Sequence, residues 1–475
     1  MTALDRLRAK LRAFRGETGG NVLIITAFAL TSLIGCIGLA IDYSSALNAK
    51  DSLNNSLDAA VIAAITTATS EIQQGIDQKT ATTDGETKGN QAFAANAGVY
   101  GSLPKLTSSI VVQVNGLTIT GTGSYSANVP LNFGPIFRIS QWSISASATS
   151  ILKMPQYMNF YVMVDVSASM GAAATTTDEA NLAKVNPDQK AEYPTGCTLA
   201  CHFNTYKACD GKYCQGFIDT RPNGDVNAIC TVSGGSNCIM LRLDAIGLAM
   251  TNLLSTAQST ANANGISSEF QIGIYPFIVH MNANYQPLST SLTTAVTQAA
   301  QQIPSLLDTG NSTGVQRWDG TDMGSGGTSL NNALNEMTQT LPAAPGDGVS
   351  STSPAPFVIL ITDGAEDNQI MYNSRGAWSG SNHATVLTQS NCTALKKSAT
   401  LAILYVPYTK ITNPNPSFAG NEDGYANANI PNIPPSLQSC ASPGFYYTAD
   451  SPTDISNALQ QIFQNALQTA PRLVN

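Results

Sequence analysis

Histidine and charge are both scarce in this chain, and each shortage removes a class of function. Only three histidines occur in 475 residues, His202, His280 and His383. They sit in separate segments, so no serine, histidine and aspartate converge by position into a hydrolytic triad. Charged residues make up 11% of the chain against 43% apolar, a balance that suits a folded, neutral-surfaced extracytoplasmic protein and not a charged disordered one. Aspartate and glutamate outnumber lysine and arginine, 31 to 23, and no nucleic-acid partner is expected. The glycine-rich run GSGGTS at 324–329 lacks the lysine of a phosphate loop. These absences leave a binding or structural protein, and the expectation is that it is not an enzyme.

The little charge there is lies unevenly. Residues 1–15 hold Arg6, Arg8, Lys10, Arg12 and Arg15 against Asp5, a net +4 that leaves the rest of the chain near −12. Beside this leader, residues 22–41, VLIITAFALTSLIGCIGLAI, form an uncharged apolar run of twenty, long enough to cross a hydrocarbon core of about 30 Å. The basic side predicts a cytoplasmic leader over 1–21 and a bulk on the far side of the membrane. A cleavable signal competes with an uncleaved anchor; the run exceeds the usual apolar region of a signal, and no small-x-small site follows it. The length predicts two or three domains.

An apolar stripe at Leu47, Leu53, Leu57, Val61 and Ile65 continues the helix beyond the span. From 66 to 90 small and polar residues take over, and a linker or frayed end is expected. The segment around Asn115 and Gly116 alternates apolar and polar residues, a hairpin signal, and WSISASATSIL adds a strand. Residues 42–154 therefore read as a small pilin-like α+β stem. After Met154 strands and helices alternate: NFYVMVD, a helix over 241–258, FQIGIYPFI, a helix near 292–306, GGTSLNNALNEM, PFVILITDG, LAILYVPY, FYYTA and a closing helix. That rhythm predicts a doubly wound, mostly parallel sheet over 155–475. Polar, Asn-, Gly- and Pro-rich stretches at 171–238, 365–391 and 409–439 are expected to be surface loops.

In such a sheet ligands gather at the carboxyl ends of the strands. Asp165 ends one strand, with Ser167 and Ser169 at alternate positions after it; Asp363 ends another in LITDG, and Thr328 opens a helix in GGTSL. Two carboxylates and three hydroxyls suit a hard, oxygen-seeking cation, Mg²⁺ with Mn²⁺ or Ca²⁺ as alternatives, holding part of its shell open. Taken singly, each motif is a common turn or cap. Glu366 and Asp367 follow closely and read as a solvated acidic turn, with electrostatic tuning of the site as the alternative.

Together these residues resemble the von Willebrand factor A domain with its metal-ion-dependent adhesion site, over about 156–470. The resemblance implies a Rossmann-like fold, direct coordination by Ser167 and Ser169, by Thr328 when ligand is bound, and by Asp165 and Asp363 directly or through water. It also implies a protein partner that offers an acidic residue. GNVLIITAFAL and GLAIDYSSALNAKDSLNNSLDAA resemble the N-terminal module of TadG-like proteins of tight-adherence (Flp) pilus systems. That resemblance implies a single-pass protein of the bacterial inner membrane, with its C-terminal bulk in the periplasm and pilin-like or envelope assembly proteins as neighbours. A purely structural, pilin-like spacer is the alternative. Two departures stand out: residues 171–238 separate the serine motif from the next helix, and none of Gly16, Gly19 and Gly20 has the glutamate five residues later that prepilin processing requires.

Of nine cysteines, Cys36 lies in the apolar run and eight lie beyond it, which predicts disulfides in an oxidising compartment. Cys392 opens a helix and Cys440 precedes a strand, so a Cys392–Cys440 clip is expected. Cys197, Cys201, Cys209, Cys214, Cys230 and Cys238 allow fifteen pairings. Haem on Cys197, Cys201 and His202, or zinc held by Cys197, Cys201, Cys209, Cys214 and His202, is the weaker alternative.

Overall fold

The computed structural model describes residues 20–185, 215–308, 323–324, 327–367, 384–407, 410, 414, 416 and 421–468. The chain divides into two compact units, 1–154 and 155–475.

In the first unit, α1 (Gly20–Gln73) is one helix of 54 residues. Its N-terminal part is exposed on all sides, with Ile24, Phe28 and Leu33 each more than half exposed, and it is long and apolar enough to cross a membrane. From Gly35 onward one face is buried at 35, 38, 42, 46, 49, 53 and 57. Steps of three and four keep these residues on one side of the helix.

The expected linker after residue 66 is corrected: α1 runs to Gln73, and α2 follows over Gln78–Asn96, its first turn capped by the Asp77 carboxylate accepting from Thr80 N–H at 3.0 Å. The buried stripe of α2 is Ala81, Gly85, Gly89 and Phe93. Three of these four have little or no side chain, so hydropathy hides the period, yet smallness lets the two helices touch. A Cβ on Gly85 would stand 2.6 Å from the Ala64 carbonyl oxygen. Gly85→Leu is therefore expected to push α2 off α1 and lower stability by about 1–3 kcal/mol, measured as a shift in the denaturant midpoint; an unchanged midpoint would refute the close packing.

The sheet of this unit has the antiparallel order β1 (Thr107–Asn115), β2 (Thr118–Pro130), β3 (Gln141–Lys153). Asn115 pairs with Thr118, and Gly116, at φ +59°, takes the left-handed turn position that glycine adopts without a Cβ clash. Ile110, Val112, Ile119 and Tyr125 are buried, and Val61 and Ile65 of α1 lie against Gly121.

The second unit holds a six-stranded mixed sheet. Its strands are β4 (Met158–Asp165), β5 (Phe270–Phe277), β6 (Gln286–Ser289), β7 (Ala355–Thr362), β8 (Thr400–Tyr405) and β9 (Tyr446–Thr448). The spatial order is β6-β5-β4-β7-β8-β9, with all pairings parallel except β5 with β6. Alternate residues of β4 enter different cores, as a strand buried on both faces requires. Phe160, Val162 and Val164 join α3 (Arg242–Ala263) and α5 (Pro452–Gln468) on one side. Tyr161 and Met163 join α4 (Leu330–Thr340) and the helices at Gln389–Leu395 and Ile433–Cys440 on the other.

Three sequence expectations change here. The helix near 292–306 is broken into a π turn at Leu292–Val296, an α turn at Thr297–Gln301 and a 3₁₀ turn at Ile303–Leu306, with Pro304 in the last, where it has no N–H to give. Residues 409–439 include helices at Glu422–Asn429 and Ile433–Cys440, the second burying Ile433 and Leu437. The stretch 171–238 is likewise no plain surface loop in its described parts: Leu182, Phe217 and Arg221 are buried, and the Asp178 carboxylate, itself fully buried, accepts from Thr175, Ser233 and Gly234.

Candidate metal centre

β5 lies on one side of β4 and β7 on the other, so the crossovers leaving β4 and β7 part company between these two strands. That is the topological switch point, where the carboxyl ends of adjacent strands open a crevice. Asp165 is the last residue of β4 and Asp363 the first after β7.

After Asp165 the backbone enters a short 3₁₀ turn at Ala168–Gly171, which folds the two serines back over the strand end. Ser167 donates its N–H to Asp165 Oδ1 at 3.0 Å and its hydroxyl to the same oxygen at 2.6 Å. The Ser167 and Ser169 hydroxyl oxygens are 3.1 Å apart. Thr362, the last residue of β7, donates its hydroxyl to Asp165 Oδ2 at 2.7 Å and accepts from Gly364 N–H at 2.9 Å. Thr362 drew no notice in the sequence because it reads as one more core position of an apolar strand; its signal is only that a hydroxyl stands next to the carboxylate of LITDG.

Thr328 comes to the same side by another route. Its carbonyl accepts from Asp367 N–H at 2.7 Å, while Glu366 accepts from Asn331 N–H at 3.0 Å and faces the Ser329 hydroxyl at 3.4 Å. Glu366 is thus a buried clasp between the loop after β7 and the first turn of α4, where a carboxylate also suits the helix dipole. The solvated-turn expectation for Glu366 is corrected on this ground: it is 3% exposed, and burial pushes its carboxyl upward against the opposing hydrogen bonds from Asn331.

Asp165, Ser167, Ser169, Thr328 and Asp363 are all buried. Burial, and next the charge of Asp363, push Asp165 up to about 7 despite its hydrogen bonds from Ser167 and Thr362. Two carboxylates desolvated together create a demand for positive charge. The donors are oxygen only, the set that Mg²⁺ accepts. Among the described residues no three or more His, Cys, Asp and Glu side chains are grouped to hold a metal, so an ion here depends on the hydroxyls. On this chemistry the residues fit a hard divalent cation.

The cysteines divide. Cys392 and Cys440 form a disulfide that links the helices at Gln389–Leu395 and Ile433–Cys440, and Cys230 bonds to Cys238. Cys197, Cys201, Cys209, Cys214, His202 and His383 lie outside the described residues. His280 Nδ1 lies 2.7 Å from Glu336 Oε1 on α4, and Glu336 is anchored in turn by Met281 N–H on Oε2.

Residues 20–70 match the family described as putative Flp pilus-assembly, TadE/G-like. This segment is TadE/G-like. Because the match ends within α1, it covers the apolar helix and leaves the sheet of the first unit and the whole second unit unassigned. The TadE/G-like segment and its exposed apolar helix fit a membrane-anchored protein. The chain is also distantly similar to the pilus adhesin SpaC of Lactobacillus rhamnosus GG, at 12% identity and a TM-score of 0.34, over 78% of this chain and 35% of SpaC. It is similar to the PilB minor pilin of Streptococcus sanguinis, at 9% and 0.31, over 78% and 80%. The vWF domain of the type V pili tip protein Mfa5 of Porphyromonas gingivalis gives 10% and 0.33, over 67% and 98%. No curated protein matches the chain.

Proposed function

We propose that this protein is a membrane-anchored component of a Tad/Flp pilus system, serving assembly or adhesion, and that its second unit is a doubly wound von Willebrand factor A-type domain. In this reading Mg²⁺, or Mn²⁺ or Ca²⁺ in its place, is held by Asp165, Ser167, Ser169, Thr328 and Asp363 and attracts an acidic group of a protein partner. The basic leader lies in the cytoplasm and the folded units in the periplasm. The protein is a binding protein and not an enzyme.

One observation carries the reading: at the switch point between β4 and β7, Asp165 is hydrogen-bonded to Ser167 and Thr362 and feels the charge of Asp363, all of them buried. A bound divalent ion with an incomplete protein shell supplies an electrophilic position for a carboxylate. The chain's own residues do the rest. Thr362 and the Ser167 N–H fix the Asp165 carboxylate so that it does not rotate away, and Glu366 ties the Thr328 segment to the loop that carries Asp363.

The test is calorimetric titration of Mg²⁺ into the full-length protein in detergent. The native chain is expected to take up one ion, and Asp165→Ala to bind it about 100-fold more weakly, a loss of about 2.7 kcal/mol. Equal heats from the two proteins would remove the metal reading and leave the spacer.

A further inference from the structure

The loop between β2 and β3 reaches back along α1 into its apolar part. The Phe133 ring lies against Gly38 and the Phe137 ring against Gly35, where an added Cβ would stand 2.6 Å and 3.0 Å from the nearest ring atom. At 1.5 Å rise per residue, Gly35 is about 9 Å inside the apolar run counted from Ile41. Contact at that depth places Phe137 beside lipid wherever the helix itself is.

Three further observations agree. The loop is apolar and open: Ile136 is 67% exposed and Phe137, Ile139 and Trp142 close to half, and Ile34, Ile37 and Ile41 of the helix are exposed as well. Seven of its backbone N–H groups have partners within the unit. Asp42, 1% exposed, accepts from the N–H groups of Asn132, Phe133 and Gly134 at 2.7–2.9 Å. The N–H groups of Leu131, Ile136, Arg138 and Ile139 donate to carbonyls within the loop, and Pro135 has none. Irregular backbone otherwise pays several kcal/mol for each unsatisfied group in a bilayer. Finally, Tyr43 and Trp142 pack together at a centroid distance of 5.7 Å, an aromatic pair of the kind that sits at headgroup level, and Arg138, the loop's one charge, is exposed and long enough to extend to lipid phosphate.

We propose that residues 133–142 are a second membrane contact, a wedge that enters the lipid leaflet beside the anchor and is clamped to it by Asp42. This rests on α1 being a membrane anchor. The wedge holds the first unit at a set height and rotation on the bilayer, which a lone helix does not.

The full chain in phosphatidylcholine nanodiscs, with an environment-sensitive fluorescent amino acid at position 136, 30 or 151, tests this. Position 151 is the water control, because Ile151 lies on β3 opposite Thr120, far along α1 from the apolar run. Emission from position 136 is expected to be blue-shifted and quenched most by lipid carrying a nitroxide near its headgroup. Position 30 should be quenched most by a nitroxide at the chain end, and position 151 by neither. Quenching at 30 with water-like emission at 136 would overturn the wedge and leave the anchor. No quenching at 30 would overturn both. A blue shift at 136 that no lipid nitroxide quenches would assign the face to a neighbouring protein and overturn the proposal.

Discussion

Replacing Asp165 with asparagine is expected to raise the thermal midpoint of the metal-free protein at pH 8 and to abolish the further rise that Mg²⁺ gives the native chain. Burial and then Asp363 lift the Asp165 carboxyl from 3.8 to about 7, so the folded state holds a proton that the unfolded state releases. The metal-free protein therefore loses stability as pH rises from about 4 to about 7, and the loss is complete above that, on the order of 4 kcal/mol. Asparagine keeps one oxygen to accept from Ser167 and turns an amide N–H toward the Thr362 hydroxyl, which then accepts in place of donating, and it carries no charge, so its advantage over aspartate should grow across the same window and level off. Mg²⁺ acts with the opposite sign: it needs the carboxylate, its affinity falls as pH drops below about 7, and binding releases a proton. Thermal melts at pH 5 and pH 8, with and without Mg²⁺, check all of this. If Asp165→Asn destabilises the metal-free chain at pH 8, or still responds to Mg²⁺, the electrostatic account of the site is wrong.

The second large effect is expected at Asp244, at the start of α3. Its oxygens accept from Arg221 Nη1 and Nη2, Cys230 N–H and Leu241 N–H, each at 2.8 Å, and both charged side chains have no exposure. The Arg221 guanidinium also lies over the Phe217 ring at 5.0 Å. Asp244→Ala leaves a buried cation without its counter-charge and is expected to cost about 3–5 kcal/mol. The double change Asp244→Leu with Arg221→Met removes both charges and should cost less than Asp244→Ala alone. Denaturant midpoints of the two proteins decide it; a double variant less stable than the single would show that Arg221 finds other partners. Because the pair joins the segment before β5 to the helix beside the sheet, Asp244→Ala should also speed proteolysis between 217 and 241.

Part of the candidate centre was legible before any fold was known. Asp165, Ser167 and Ser169 announce themselves because alternate spacing at the end of an apolar strand puts polar groups on one side, and TDG repeats the signal at Asp363. Thr362 and Glu366 were not legible in their roles. A threonine in a strand and a glutamate in an acidic turn look the same whether or not a partner from another loop arrives, and here the partners lie 197 and 35 residues away in sequence, at Asp165 and Asn331. The same reason hides Arg221 and Asp244. The second helix of the first unit was hidden differently: its buried face is alanine and glycine, whose value is the approach distance they permit and not their hydropathy.

Local pattern was enough to establish the long apolar segment, the amphipathic helix that continues from it, the Asn-Gly hairpin and the alternation of strands and helices after Met154, since each depends on neighbours a few residues away. Strand order, the pairing of β4 with β7 that brings Asp165 near Asp363, the Asp42 clasp on the 132–134 backbone, and the burial of Glu366 came only with the folded chain. Those features depend on groups brought together across long stretches of sequence, and their energies arise from desolvation and contact that no single segment contains.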